Sequence, residues 1–89
     1  MLTSVNKVVS EQVTATKVRF EKNLLYVTLS DGREVSLPID QIEWLEWLAK
    51  ASPEQREQWT LEPGGYAIYW EELDDGIEVG HILTMEPLA

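Results

Sequence analysis

Residues 25–37, LYVTLSDGREVSL, decide how the first half of the chain folds. Apolar and polar side chains alternate on both sides of the Ser-Asp-Gly step, which is typical of two antiparallel strands joined by a tight turn. A two-residue turn would mix apolar and polar side chains on each face. A three-residue loop places Val27 opposite Val35 and keeps one face apolar. Gly32 then occupies the last loop position, which requires the left-handed conformation.

A further strand precedes this hairpin. Residues 17–21 (KVRFE) alternate in the same way, and pairing Phe20 with Leu25 keeps both apolar sets on one side of the sheet. A connecting loop of two residues and one of four give the same register, so the sequence leaves the type of this turn open. Residues 5–10 predict an additional strand nearer the N-terminus, with less regular alternation.

The pattern becomes helical after Pro38, because proline cannot donate to a strand ladder. Residues 41–51 predict a helix with Asp40 as its N-cap and a glutamate three residues further on. Ser-Pro-Glu-Gln at 52–55 has the form of a capping box with proline in the first helical position. This predicts a second short helix over residues 53–58.

Strand signals return in the last third of the chain. Residues 59–61 and 66–70 predict strands on either side of a Pro-Gly-Gly turn, residues 71–76 a loop, and residues 77–83 a short terminal helix. We therefore expect an α+β fold. It would be a small single domain of residues 1–89 with an antiparallel sheet of four to five strands. Two short helices would be inserted before the last strands, with a short helix at the C-terminus.

The composition excludes several classes of protein. The chain has 89 residues and no cysteine, which rules out disulfide frameworks and thiolate metal sites. No apolar run has the length that a membrane span needs. The first twenty residues lack the apolar stretch of a signal peptide. These observations predict a cytoplasmic protein without a membrane partner.

Charge is divided unevenly along the chain. Residues 1–37 carry four acidic and five basic side chains, whereas residues 38–89 carry twelve acidic side chains against Lys50 and Arg56. Binding to phosphates depends on clustered lysine and arginine, so this balance predicts no direct binding of nucleic acid. The acidic half either serves solubility alone or attracts a basic protein partner.

The first predicted helix is apolar over more of its circumference than contact with one sheet requires. Ile42, Leu45 and Leu48 already form one apolar sector, and Trp44 and Trp47 extend it into a second. The second sector is covered either by the rest of the domain or by a partner, which could be a second copy in a homodimer. Tryptophan is enriched in binding hot spots, so both residues are candidate partner-binding residues.

An acidic stretch in the last third is the other candidate site. It contains Glu71, Glu72, Asp74 and Asp75. Its spacing does not fit a calcium-binding loop, so we predict no metal site and no cofactor. His81 is the only histidine, and no serine lies in a nucleophile-elbow pattern, so no catalytic residue is assigned.

Several motifs occur in an order that resembles the small bacterial domain-of-unknown-function (DUF) 2442 family. The resemblance covers roughly residues 15–83 and rests on LSDGREV at 29–35, LP at 37–38, ASPEQR at 51–56, GGYAIYW at 64–70 and ELDD at 72–75. Two departures are Glu71, where the family has proline, and Gly76, which interrupts the last acidic pair. The resemblance implies an α+β fold without established enzymatic activity. It also implies that some members pair with another small protein, in arrangements resembling toxin–antitoxin modules.

These observations predict a non-catalytic interaction or regulatory module, with the chain as the acidic partner of a small basic protein. Two alternatives stay open. One is a metal-binding protein or hydrolytic enzyme that uses the acidic loop and His81. The other is a transcription-linked regulator that acts through a DNA-binding partner.

Overall fold

A computed structural model describes residues 13–84. The strands of this part are β1 (Ala15–Glu21), β2 (Leu24–Leu29), β3 (Glu34–Pro38), β4 (Trp59–Leu61), β5 (Ala67–Trp70) and β6 (Asp75–Glu78). Its α-helices are α1 (Glu46–Ala49), α2 (Pro53–Arg56) and α3 (Val79–Thr84). A 3-10 turn at Glu43–Leu45 leads directly into α1, and another at Pro63–Gly65 separates β4 from β5. Within residues 13–84 no helix has the length and apolar character of a membrane span.

The strands of residues 13–84 form two sheets, which corrects the expectation of one sheet with four to five strands. The first sheet has the order β1-β2-β3 and the second the order β4-β5-β6, and all pairs are antiparallel. Among these described residues each strand pairs only with strands adjacent to it along the chain, and the helical segment separates the two groups. The last two residues of the predicted loop 71–76 belong instead to β6, which is the third strand of the second sheet. The overall α+β class agrees with the prediction.

The first sheet has the predicted register. Val27 lies opposite Val35, and Phe20 lies opposite Leu25. The β2–β3 loop has three residues, since the Leu29 amide donates to the Arg33 carbonyl, and Gly32 has a φ of +96°. The turn that the sequence left open has two residues, because Glu21 and Leu24 form the last pair of β1 and β2. The predicted strand 5–10 lies outside the described residues.

The helices are shorter than predicted. Asp40 is not an N-cap: the 3-10 turn begins after an extended Ile42, and an Asp40 carboxylate oxygen accepts a hydrogen bond from Asn23 instead. The Gln41 amide donates to the Pro38 carbonyl, so a tight turn occupies the residues that the predicted helix 41–51 would have used first. The capping box is confirmed, because Ser52 Oγ accepts from the Gln55 amide at 3.1 Å and the Gln55 side chain accepts from the Ser52 amide.

One hydrophobic core joins the two sheets and the helices. Leu25 and Val27 enter it from the first sheet, and Ile68 and Trp70 from the second. Trp70 is only 1% exposed, and its ring meets the edge of Phe20 at a centroid distance of 6.4 Å. The two sheets therefore share apolar burial, which is the main source of stability for a domain of this size.

Arg56 connects the elements around this core. Its guanidinium donates to the carbonyls of Lys22, Leu48 and Ala49, the last at 2.7 Å. Its own carbonyl accepts the indole N–H of Trp70 at 2.9 Å. Arg56 thus ties the β1–β2 turn, the end of α1 and the second sheet together. These bonds are charge-assisted, which makes them stronger than neutral ones.

Candidate partner-binding surface

The second sheet carries a one-sided charge. Residues 57–84, which contain this sheet and its loops, hold seven carboxylates and no lysine or arginine. In contrast, three of the ion pairs of the described residues, at Arg19, Arg33 and Lys50, lie in the segment before residue 57. No basic side chain accompanies these carboxylates along residues 57–84, and an excess of one sign creates a negative potential that attracts cationic groups.

Part of this acidic surface is a groove, which we call the β4 groove. It is lined by Gln58, Trp59 and Thr60 at the start of β4, and by Glu71 and Glu72 in the β5–β6 turn. Its volume is about 490 Å³, and the Trp59 side chain is half-buried beside it. The pairing of Trp59 with Trp70 brings the two segments together, since Glu71 directly follows Trp70. The groove thus combines an indole, an amide, a hydroxyl and two carboxylates.

Asp74 and Asp75 have local roles in the β5–β6 turn. Asp74 has a φ of +53°, and its Oδ1 accepts the Tyr69 hydroxyl at 2.9 Å. Asp75 opens β6, and its Oδ1 accepts from the Gly76 amide. The four predicted acidic site residues therefore divide into two that line the β4 groove and two that shape the turn beside it.

Tyr69 reports the electrostatics of this region. The pKa of its phenol is raised because the hydroxyl donates to Asp74, and burial and the charges of Asp74, Glu71 and Glu62 add to the effect. Each of these carboxylates opposes formation of a phenolate. The raised pKa of Tyr69 therefore reflects mainly its bond to Asp74, with smaller contributions from burial and the neighbouring carboxylates.

Trp44 and Trp47 contact different elements. The Trp44 ring lies almost parallel to the His81 imidazole of α3, with ring centroids 4.3 Å apart and an interplanar angle of 9°. Trp47 meets Trp70 edge-on at a centroid distance of 5.6 Å. Both indoles are half-buried and pack against the core, so part of each surface is already used within the chain. A partner at either residue stays a prediction.

The hydrolytic or metal-binding alternative depends on His81 and the acidic loop. His81 is exposed and stacks on Trp44, and within residues 13–84 no three histidine, aspartate or glutamate side chains converge in a way that could hold a metal ion. The alternative function based on the acidic loop and His81 therefore gains no support from the geometry of the described residues.

Sequence reasoning missed the β4 side of the groove and the role of Arg56. Trp59 appears in the sequence only as the start of a three-residue strand, and its nearness to Glu71 follows from the β4–β5 pairing. Arg56 appears as an ordinary last-turn residue of a helix, yet its guanidinium is bound by backbone carbonyls of three other residues. An arginine just before the long acidic segment is the one signal that could have marked it.

Two solved structures share this architecture. A protein of unknown function from Rhodospirillum rubrum ATCC 11170 has 23% sequence identity and a TM-score of 0.68, with 81% of this chain and 86% of that chain covered. An uncharacterized protein from Chromobacterium violaceum, solved by solution NMR, has 21% identity and a TM-score of 0.69, with 89% of this chain and 72% of that chain covered. Identities this low establish a common fold. No protein with a curated description matches the chain.

The sequence itself identifies the family. Residues 15–86 match the family described as protein of unknown function (DUF2442), which extends the resemblance noted over residues 15–83. The match covers most of the chain. The protein is therefore a member of the DUF2442 family.

Proposed function

We propose that this chain is a non-catalytic interaction module that binds a basic protein partner through its second sheet. The observation that carries the proposal is the charge of residues 57–84, with seven carboxylates and no lysine or arginine. The first sheet has no such excess, since residues 15–38 hold three acidic and four basic side chains. The two halves thus differ in charge, because the first is nearly neutral and the second is strongly acidic.

Electrostatics of this kind acts mainly on encounter and on the choice of partner. A negative surface accelerates association with a cationic protein and repels anionic ones, and the effect weakens as salt screens the charges. The half-buried Trp59 adds an aromatic group of the type found in interface hot spots. A surface with carboxylates and an indole together therefore suits recognition of arginine or lysine.

Affinity capture from the native host tests this function. The full chain is immobilised beside two variants of equal net charge. One has carboxylates of the second sheet neutralised (Glu62→Gln, Glu71→Gln, Glu72→Gln and Glu78→Gln), and the control has carboxylates elsewhere neutralised (Glu21→Gln, Glu34→Gln, Glu43→Gln and Glu54→Gln). Captured proteins are identified by mass spectrometry.

We expect a lysine- and arginine-rich partner that is retained by the wild type and the control but lost from the second-sheet variant. Raising the salt from about 50 to 300 mM should weaken its capture, because the Debye length falls. A partner captured equally by both variants, or one without excess basic charge, would contradict the proposal.

A further inference from the structure

We infer that the β4 groove receives an arginine or lysine side chain from an extended segment of the basic partner, and that this segment lies along β4. The inference rests on the proposed function and specifies where and how the partner is recognised. It depends on three properties of the described residues: the chemistry of the groove, the open edge of β4, and the charge around both.

The chemistry of the groove fits a cationic side chain. Trp59 offers an indole for a cation–π contact, which tryptophan makes better than any other side chain. Glu71 and Glu72 offer carboxylates for charge-assisted hydrogen bonds, and arginine binds such groups in a fork-shaped geometry. The groove, at about 490 Å³, is large enough for a long side chain with its bound water.

The backbone of β4 provides the second part of the site. Within residues 13–84, β4 is the outer strand of its sheet and pairs only with β5. The Glu62 amide donates to the Ala67 carbonyl, so the antiparallel alternation directs the backbone groups of Thr60 toward β5 and those of Trp59 and Leu61 toward the open edge. An added strand would form hydrogen bonds with the backbone of Trp59 and Leu61, and every second side chain of that strand would point toward the β4 groove.

The charge around β4 determines which kind of segment can bind at its open edge. Glu62 directly follows β4, and Glu71 and Glu72 line the groove beside it, so an acidic segment is repelled, a neutral one gains no electrostatic attraction and a basic one is attracted. A second copy of this chain is also disfavoured at this edge. Symmetric pairing of β4 with β4 would bring both sets of these carboxylates together, and like charges in an interface oppose association.

The test is an NMR titration of the isotope-labelled full chain with hexa-arginine and hexalysine, with hexaglutamate as the negative control. We expect the basic peptides to shift the Trp59 indole N–H and the amides of residues 58–61 and 71–72, and to leave β2 unchanged. Glu71→Gln with Glu72→Gln should weaken binding about tenfold, as should Trp59→Leu. Glu43→Gln with Glu54→Gln, a matched pair elsewhere, should weaken it no more than about twofold through general screening.

Equal weakening by both glutamine pairs, or shifts spread over all acidic residues, would overturn the inferred binding in the β4 groove. The proposed function would still stand, because it requires only the second sheet as a whole. A nuclear Overhauser contact in the free chain between Trp59 and residues 1–12, or between Trp59 and a second copy, would also overturn it, because the groove would already be filled. Loss of partner selectivity in the capture experiment would instead refute the proposed function.

Discussion

The two sheets of this domain are built by different means. The strands of the first sheet have seven, six and five residues, and their alternating side chains fix the register. The strands of the second sheet have three, four and four residues, too short to be stable in isolation. The second sheet depends on the shared core around Trp70 and on the bonds of Arg56. The first sheet is thus fixed by its own side-chain pattern, whereas the second sheet forms through the shared core and carries the excess of carboxylates.

Trp70→Ala should destabilise the domain more than any other substitution considered, and it tests whether the sheets are one cooperative unit. Removing an indole that is 1% exposed should lower the free energy of unfolding by about 3–5 kcal/mol, most of the stability of a small domain. Urea unfolding followed by far-UV circular dichroism measures the loss, and amide resonances of β2 and β5 should disappear together. If β5 melted while β2 kept its wild-type midpoint, the sheets would be independent.

The second comparison concerns two glycines with positive φ, Gly32 in the first half of the chain and Gly65 in the second. An added Cβ at Gly32 meets nothing within 4 Å, so Gly32→Ala should cost only the strain of a positive φ, about 1 kcal/mol. An added Cβ at Gly65 would lie 2.8 Å from the Ala15 carbonyl oxygen, at the contact between the second half and β1. Gly65→Ala should therefore cost about 2 kcal/mol or more. Equal urea midpoints for the two variants would show that this contact is loose.

Neutralising a carboxylate should change stability differently in the two sheets, by less than the glycine substitutions do. Glu34 lies 3.5 Å from the Arg19 guanidinium, so Glu34→Gln should lower stability by about 0.2–0.5 kcal/mol, as for other exposed ion pairs. Glu72 lies among like charges, so Glu72→Gln should leave stability unchanged or raise it by a similar amount. Thermal melts at about 20 mM salt measure both differences. A destabilising Glu72→Gln would mean that this carboxylate has a structural partner.

The smallest difference is expected in the titration of the Tyr69 phenol. Because the pKa of Tyr69 is raised by its bond to Asp74, Asp74→Asn should move the pKa of that phenol back toward 10, as read by ultraviolet absorbance. A raised folded-state pKa stabilises the fold below the unfolded value, and this contribution disappears as the pH rises through the folded value. Asp74→Asn should therefore reduce the dependence of stability on pH above about 10. An unchanged Tyr69 titration would contradict the role of Asp74.

Some of this architecture follows from the sequence and some does not. The register of the first sheet is predictable, since a slip of one residue would turn Val27 and its neighbours to the solvent. Strand β6 is not, because Asp75 and Gly76 are turn formers and only Ile77 signals a strand. The β4 groove is predictable only in part: Glu71 and Glu72 belong to the predicted acidic stretch, whereas Trp59 joins them only through the β4–β5 pairing.

Hydrogen exchange on the complex with the partner captured from the native host shows whether the second sheet binds the partner and the first sheet does not. We predict slower amide exchange in residues 58–61 and 71–75 on binding, and unchanged exchange in β2 and β3. Protection confined to the first sheet, or to the helices around Trp44 and Trp47 without any at β4, would contradict binding of the partner at the second sheet.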